Sequence, residues 1–179
     1  MSGSAANAGQ WTDADVYIAP SGTTAPTDVT TAWAVGWDAV GLLDGAEGFT
    51  EAQENDTKET YAWGSILVKR SKSKHKRTWK FVALEDNETM FALLNPGSSR
   101  STSGGLTTST IVAPTNEEFM IGLELRDADT VKRRFAARAT IESVGEIKDS
   151  EEDVTAYEVT VLLYPEDDGT IYTELKGDA

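Results

Sequence analysis

Hydrophobic and polar residues alternate with a period of two along most of this chain. Phe119, Ile121, Leu123 and Leu125 share one face, Tyr157, Val159, Val161 and Leu163 repeat the pattern, and Ile171, Thr173 and Leu175 close it. Between them, Val131, Arg133, Phe135, Ala137, Ala139 and Ile141 fall on one side, with Lys132, Arg134, Arg138 and Glu142 opposite. Trp79, Phe81 and Ala83 alternate with Lys80, Val82 and Leu84, so that segment is expected to be covered on both faces. Strands are predicted near 15–19, 36–43, 58–70, 76–85, 117–126, 131–147, 154–164 and 170–175. The pair at 131–147 and 154–164, joined by the acidic turn Lys148–Asp153, is longer than the usual five or six residues. It is expected to form a hairpin that continues past the core of one subunit.

One segment departs from this period. In Asp86–Leu94 the apolar residues Met90, Phe91, Leu93 and Leu94 form a single helical stripe; Asp86 or Asn87 can cap the first turn, and Asn95-Pro96-Gly97 stops it. A helix this short is marginal alone and must dock through that stripe. Ser98–Thr110 is expected to be a mobile loop. The sum is a mainly β fold, an antiparallel β-sandwich or barrel with one short flanking α-helix and long loops. Residues 1–14 are expected to form a flexible N-terminal arm and 15–179 a single domain.

Charge changes the picture next. The net charge of −14 is unevenly spread: two basic patches, at 69–80 and 131–138, interrupt three acidic regions. Most of the surface should repel phosphate backbones, while acidic and basic patches on one chain suit it to binding copies of itself. Cysteine is absent, which rules out disulfides and thiolate metal sites. No apolar run approaches the roughly 18–20 residues that cross a bilayer, so no membrane partner is expected.

Candidate chemistry is sparse. The single histidine, His75, sits inside Lys72–Arg77 and reads as part of a solvated basic face; with no cysteine and one histidine, nucleophilic triads and transition-metal sites are close to excluded. Acid clusters such as Glu151-Glu152-Asp153 and Glu166-Asp167-Asp168 resemble glycosidase pairs only in composition, since they fall in predicted turns. Asp167-Asp168-Gly169 reads as a hairpin turn rather than a Ca²⁺ loop. Neither an enzymatic activity nor a cofactor is expected.

Five tryptophans and one basic block remain. Trp63 and Trp79 lie in predicted strands and are expected in the core, while Trp33 and Trp37 pack either on the body or on a neighbour. Trp11, alone in a polar arm, is either disordered or an anchor on an adjacent subunit. The block Lys69-Arg70-Ser71-Lys72-Ser73-Lys74-His75-Lys76-Arg77 carries no interleaved aromatic for base stacking. It reads as a hairpin tip meeting acids of another copy, such as those of Glu47–Glu59 or Glu151–Asp153. The candidate subunit-interface residues are therefore Trp11, Lys69, Arg70, Lys72, Lys74, Lys76 and Arg77, with Glu51, Glu54 and Asp56 as acidic counterparts. Met1–Asp13 and Thr50–Thr60 are expected to be mobile segments that order on assembly.

The order of elements from Val16 to Gly64 resembles the N-terminal half of the major tail (tail tube) proteins of long-tailed, siphovirus-type bacteriophages. The resemblance rests on Val16, Ala19, Pro20, Gly22, Thr23, Pro26 and Thr27, then Trp37, Gly41, Asp44 and Gly45, and finally Ala62, Trp63 and Gly64. It implies a structural virion protein forming hexameric rings stacked into a hollow tail tube. It also implies partners in the tape measure, terminator and distal tail proteins, and passage of DNA without specific binding. Two alternatives stay open: a β-sandwich carbohydrate-binding or adhesin module using Trp11, Trp33 or Trp37, and a related head–tail connector, terminator or injection-machine tube protein.

Overall fold

Segments with one apolar face pair edge to edge and bury that face together, and the computed structural model, which describes residues 9–178, shows the result. The strands are β1 (Asp13–Pro20), β2 (Asp38–Ala39), β3 (Thr50–Ala62), β4 (Ile66–Ala83), β5 (Ser99–Ser103), β6 (Leu106–Thr110), β7 (Phe119–Asp127), β8 (Thr130–Val144), β9 (Tyr157–Leu163) and β10 (Thr173–Asp178). The helix α1 (Glu88–Leu94) lies between β4 and β5. The main sheet is antiparallel and runs β2-β1-β7-β8-β9-β4-β3, with β10 also paired to β8; β5 and β6 form a separate two-stranded hairpin.

Strand β8 is the fork of the sheet. Its first half, 130–135, pairs with β10, and its second half, from Ala139, pairs with β9. The segment after β2 then laces the sheet over on itself. Val40 donates to the Val16 carbonyl, while Leu43 bridges Ala83 and Asp44 donates to the Val82 carbonyl, so strands four places apart in the order are tied together. These are single bridges, and the sheet is not closed into a barrel; of the two expected forms the fold is the sandwich-like one.

The main core contains Val16 from β1, Ile121 and Leu123 from β7, Trp79 and Phe81 from β4, and Val159 and Val161 from β9. Helix α1 closes one flank through Met90 and Leu93. Asn87 caps it, its side chain accepting from the Met90 amide at 2.9 Å.

A second, smaller cluster covers the opposite face of β1, β7 and β8, where Trp33 and Trp37 pack against Tyr17, Met120, Phe135 and Ala137. Both tryptophans thus pack on the body of their own chain. Trp33 lies directly over Gly122, where a Cβ would come within 2.4 Å of its ring. Beneath it is a buried ion pair: Glu124 (6% exposed) accepts from Trp33 Nε1 at 2.8 Å and from Arg133 (4% exposed) at 2.6 Å. Arg133 also donates to the carbonyls of Asp28 and Thr31, pinning the 24–33 segment to the sheet. Burial alone would push the Glu124 carboxyl up. The Trp33 and Arg133 hydrogen bonds, the Arg133 charge and a bond from Arg126 together outweigh it and hold the group below its ordinary value.

Several expectations are corrected. The strict alternation of 131–141 fails because β8 carries a bulge: Phe119 pairs with Ala139 but Ile121 with Ala136, so two residues face Met120. Phe135 and Ala137 consequently lie in the outer cluster, whereas Ala136 and Ala139 enter the main core. The expected strand at 36–43 pairs only at Asp38–Ala39 and Leu43. Ser98–Thr110, expected as a mobile loop, is the β5–β6 hairpin, turned at Gly104-Gly105 and tied to the body by Arg100, which lies 4.1 Å from the Phe91 ring centre. Thr50–Thr60, also expected to be mobile, belongs to β3. The overhanging hairpin is not β8–β9, since β9 ends at seven residues; it is β3–β4.

Candidate self-assembly surface

The expected strand at 58–70 is in fact two strands joined by a reversal. Gly64 (φ 81°) and Ser65 (φ 60°) are both left-handed, which turns the chain at Trp63–Ser65 so that Ala62 pairs with Ile66. Only Arg77–Ala83 of the 18-residue β4 pair with β9. From Ile66 to Lys76 the strand pairs with β3 on one side and, among the described residues, with no strand on the other, so a two-stranded ribbon projects roughly 35 Å from the body at about 3.3 Å per residue. Every residue from Ile66 to His75 is exposed.

The ribbon is braced at its root. Glu51 accepts from Arg77 at 3.0 Å and from Arg134 at 3.1 Å, and Tyr172, which stacks near Trp79, donates to the same carboxylate at 3.3 Å. Lys76 reaches Glu142 of β8 at 2.5 Å; that hydrogen bond raises the lysine above its ordinary value. Farther out, ion pairs run across the ribbon itself, Lys74 with Asp56 at 2.8 Å and Arg70 with Glu59 at 3.4 Å. A bulge sits midway: Glu54 pairs with Lys76 and Asp56 with Ser73, leaving Asn55 opposite both Lys74 and His75, whose ring bonds to Asn55. Lys74 takes a left-handed φ of 54° there.

The basic block therefore lies along a strand, not at a hairpin tip. The tip is apolar. Trp63 is 100% exposed, and Tyr61, Ile66, Leu67 and Val68 beside it are all exposed as well. Trp63 was expected in the core; the turn at Gly64 carries it away from every core residue. Trp79, by contrast, is fully buried as expected. Exposed apolar clusters of this kind mark interaction surfaces.

Of the candidate interface residues, Lys69, Arg70, Lys72, Lys74, Lys76, Arg77, Glu51, Glu54 and Asp56 are all brought together on this hairpin. Arg70, Lys74, Lys76, Arg77, Glu51 and Asp56 already have charge partners in their own chain. Lys69 and Lys72 have none among the described residues. Trp11 lies apart, its ring 4.7 Å from Lys132 Nζ and 5.9 Å from Lys176 Nζ of the same chain. Residues 1–8 of the expected arm fall outside the described residues. Asp167-Asp168-Gly169 forms the expected turn, with Gly169 donating to the Glu166 carbonyl and Glu166 to that of Thr170.

A ribbon with an apolar tip on an otherwise acidic body is built to meet another protein surface, and a family model described as phage tail tube protein matches residues 11–179. The chain belongs to the phage tail tube family. Tail tube chains are structural components of the virion tail, and the family implies self-assembly into a tube together with other tail proteins. A solved structure titled "Structure of a type six secretion system protein" is similar over 90% of this chain and 91% of that one, at 12% identity and a TM-score of 0.34. No curated protein matches.

Sequence reasoning missed Tyr61, Ile66, Leu67 and Val68 as surface residues. The signal was Gly64, a lone glycine inside an apolar alternation.

Proposed function

We propose that this tail tube protein closes into rings, six copies by the family resemblance, and that the rings stack into a conduit through which the genome passes without specific binding. The single observation that carries the proposal is the β3–β4 ribbon, a long exposed hairpin whose tip has no partner among the described residues. Ring closure uses the open outer edge of β3, whose unpaired N–H and C=O groups meet a strand of the next copy. Stacking uses the outer ribbon, with Lys69, Arg70, Lys72 and Lys74 along the strand behind the apolar tip; Glu51, Lys76 and Arg77 brace its root. Trp11 lies apart from these contacts, beside Lys132 and Lys176 of its own chain, and 15–179 act as one unit. Tape measure, terminator and distal tail proteins are the expected neighbours at the tube ends and lumen. Such a role needs no catalytic group.

Net charge supports the conduit reading. Residues 54–76 carry a net three positive charges in a chain of −14, so the remainder is strongly acidic and repels phosphate. The test is electron microscopy of the purified chain, alone and as Lys69→Glu/Lys72→Glu. Wild type is expected as rings and tubes. The variant is expected to keep its β circular dichroism and lose tubes. A wild-type chain that stays monomeric at high concentration overturns the proposal and favours the adhesin alternative.

A further inference from the structure

At the opposite end of β4 from the tip lies an open groove of about 600 Å³. Helix α1, which starts five residues after β4 ends, forms one wall with Leu93 and Leu94; Ile18, Phe119, Ile141 and Val144 supply the rest. Three carboxylates stand at this groove: Glu118 is paired with Arg138, while Asp38 and Glu117 have no ion-pair partner among the described residues. Glu117 accepts only the Thr115 hydroxyl, at 2.7 Å.

We propose that this groove is the socket for the ribbon tip of a second copy of the chain, with Trp63 seated on Leu93 and Val144, and Lys69 and Lys72 paired with Asp38 and Glu117. The proposal rests on the tube reading and adds to it the identity of the receiving surface. Three observations support it. The tip exposes an apolar cluster and the groove an apolar lining of a size that admits an aromatic anchor. Lys69 and Lys72 of β4, which have no ion-pair partner among the described residues, are opposite in sign to Asp38 and Glu117 of the groove. Finally, tip and groove lie at opposite ends of β4, roughly 55 Å apart along the strand at about 3.3 Å per residue, so a chain cannot fill its own socket. A contact joining two different surfaces in this way is heterologous, and when it runs along an axis it repeats without closing. One plug-and-socket contact thus gives the stack both its polarity and its unlimited length.

The test uses the absence of cysteine from the chain. In Trp63→Cys/Ala92→Cys, whose second position is exposed on the groove wall, oxidation of assembled tubes is expected to give a ladder of covalent oligomers. Each single variant is expected to give at most dimers, and so is the control pair Trp63→Cys/Thr108→Cys. A second arm covers loss of the tryptophan anchor. Lys69→Glu/Lys72→Glu should lose tubes, and adding Asp38→Lys/Glu117→Lys to the same chain should restore them. Tubes of Trp63→Cys/Ala92→Cys that form without a covalent ladder, or no restoration in the fourfold variant, place the socket elsewhere while the tube reading stands. Absence of any assembly by the wild-type chain overturns both.

Discussion

Replacing Trp63 with alanine separates a residue that holds the subunit together from one that holds subunits to each other. In the free chain Trp63 is completely exposed, so truncation removes no buried contact and should alter stability by no more than about 0.5 kcal/mol. For a chain of this length that is a change in thermal midpoint of about 2 °C at most. In the proposed plug-and-socket contact the side chain is buried. A tryptophan removes about 150–250 Å² from water, which at about 25 cal/mol per Å² is about 4–6 kcal/mol. Ordering of the tip and incomplete burial take back roughly half, leaving about 2–3 kcal/mol per contact. Each 1.4 kcal/mol is tenfold, so the concentration at which tubes begin to lengthen should rise about 30- to 140-fold. Sedimentation of tubes across a dilution series, beside a thermal melt of the unassembled chain, measures both quantities. If Trp63→Ala lowered the melting midpoint by more than about 5 °C while the threshold concentration stayed put, the tip would be part of the fold and the reasoning would fail.

Other outcomes follow from the body of the subunit. The Glu124 carboxyl is held below its ordinary value of 4.5 in the folded chain, so the stability it contributes is complete above that value and disappears as pH falls through the lowered one. Glu124→Gln should therefore be clearly destabilised in urea at pH 7, by about 3 kcal/mol because Arg133 is left buried without its partner. Its deficit against wild type should shrink toward pH 3, and a deficit independent of pH would contradict the assignment. Gly122→Ala drives a Cβ to within 2.4 Å of Trp33. It should cost about 1–3 kcal/mol by urea titration and shift tryptophan emission to the red as the indole leaves the sheet. At the ribbon bulge, Lys74→Gly removes a left-handed penalty of about 1–2 kcal/mol against a glycine entropy cost of about 0.5–1 kcal/mol. Amide exchange of residues 66–76 should slow in that variant and quicken in Lys74→Val.

The sheet was legible because β7, β9 and the body half of β4 bury one face each in a single core: Ile121, Leu123, Val159, Val161, Trp79 and Phe81 all lie where their period places them. Helix α1 was legible from its stripe and its asparagine cap. The ribbon was not. Tyr61, Trp63, Ile66, Leu67 and Val68 look like core residues because an apolar side chain is selected for burial whether the covering surface belongs to its own chain or to another. Periodicity carries no label for which. The β5–β6 hairpin escaped because its strands contain almost no apolar residue, so the Gly104-Gly105 pair was the only signal. The Glu124–Arg133 pair left a fainter one: a guanidinium standing in the stripe Val131, Phe135 and Ala137, which no apolar face accepts without an anion beneath it.

The composition of β3 bears on how such a chain survives before a tail exists. An open strand margin thirteen residues long is the geometry that nucleates fibrils, and a host cell making a virion component accumulates many copies of it. Between Glu51 and Glu59 this margin holds three glutamates, one aspartate and one lysine and not one large apolar side chain. In the proposed ring they serve as gatekeepers: charge opposes stray pairing, and a partner presenting matched groups in register is favoured. On the proposed ring closure, the same row of side chains that opposes stray pairing sets the fidelity of polymerisation.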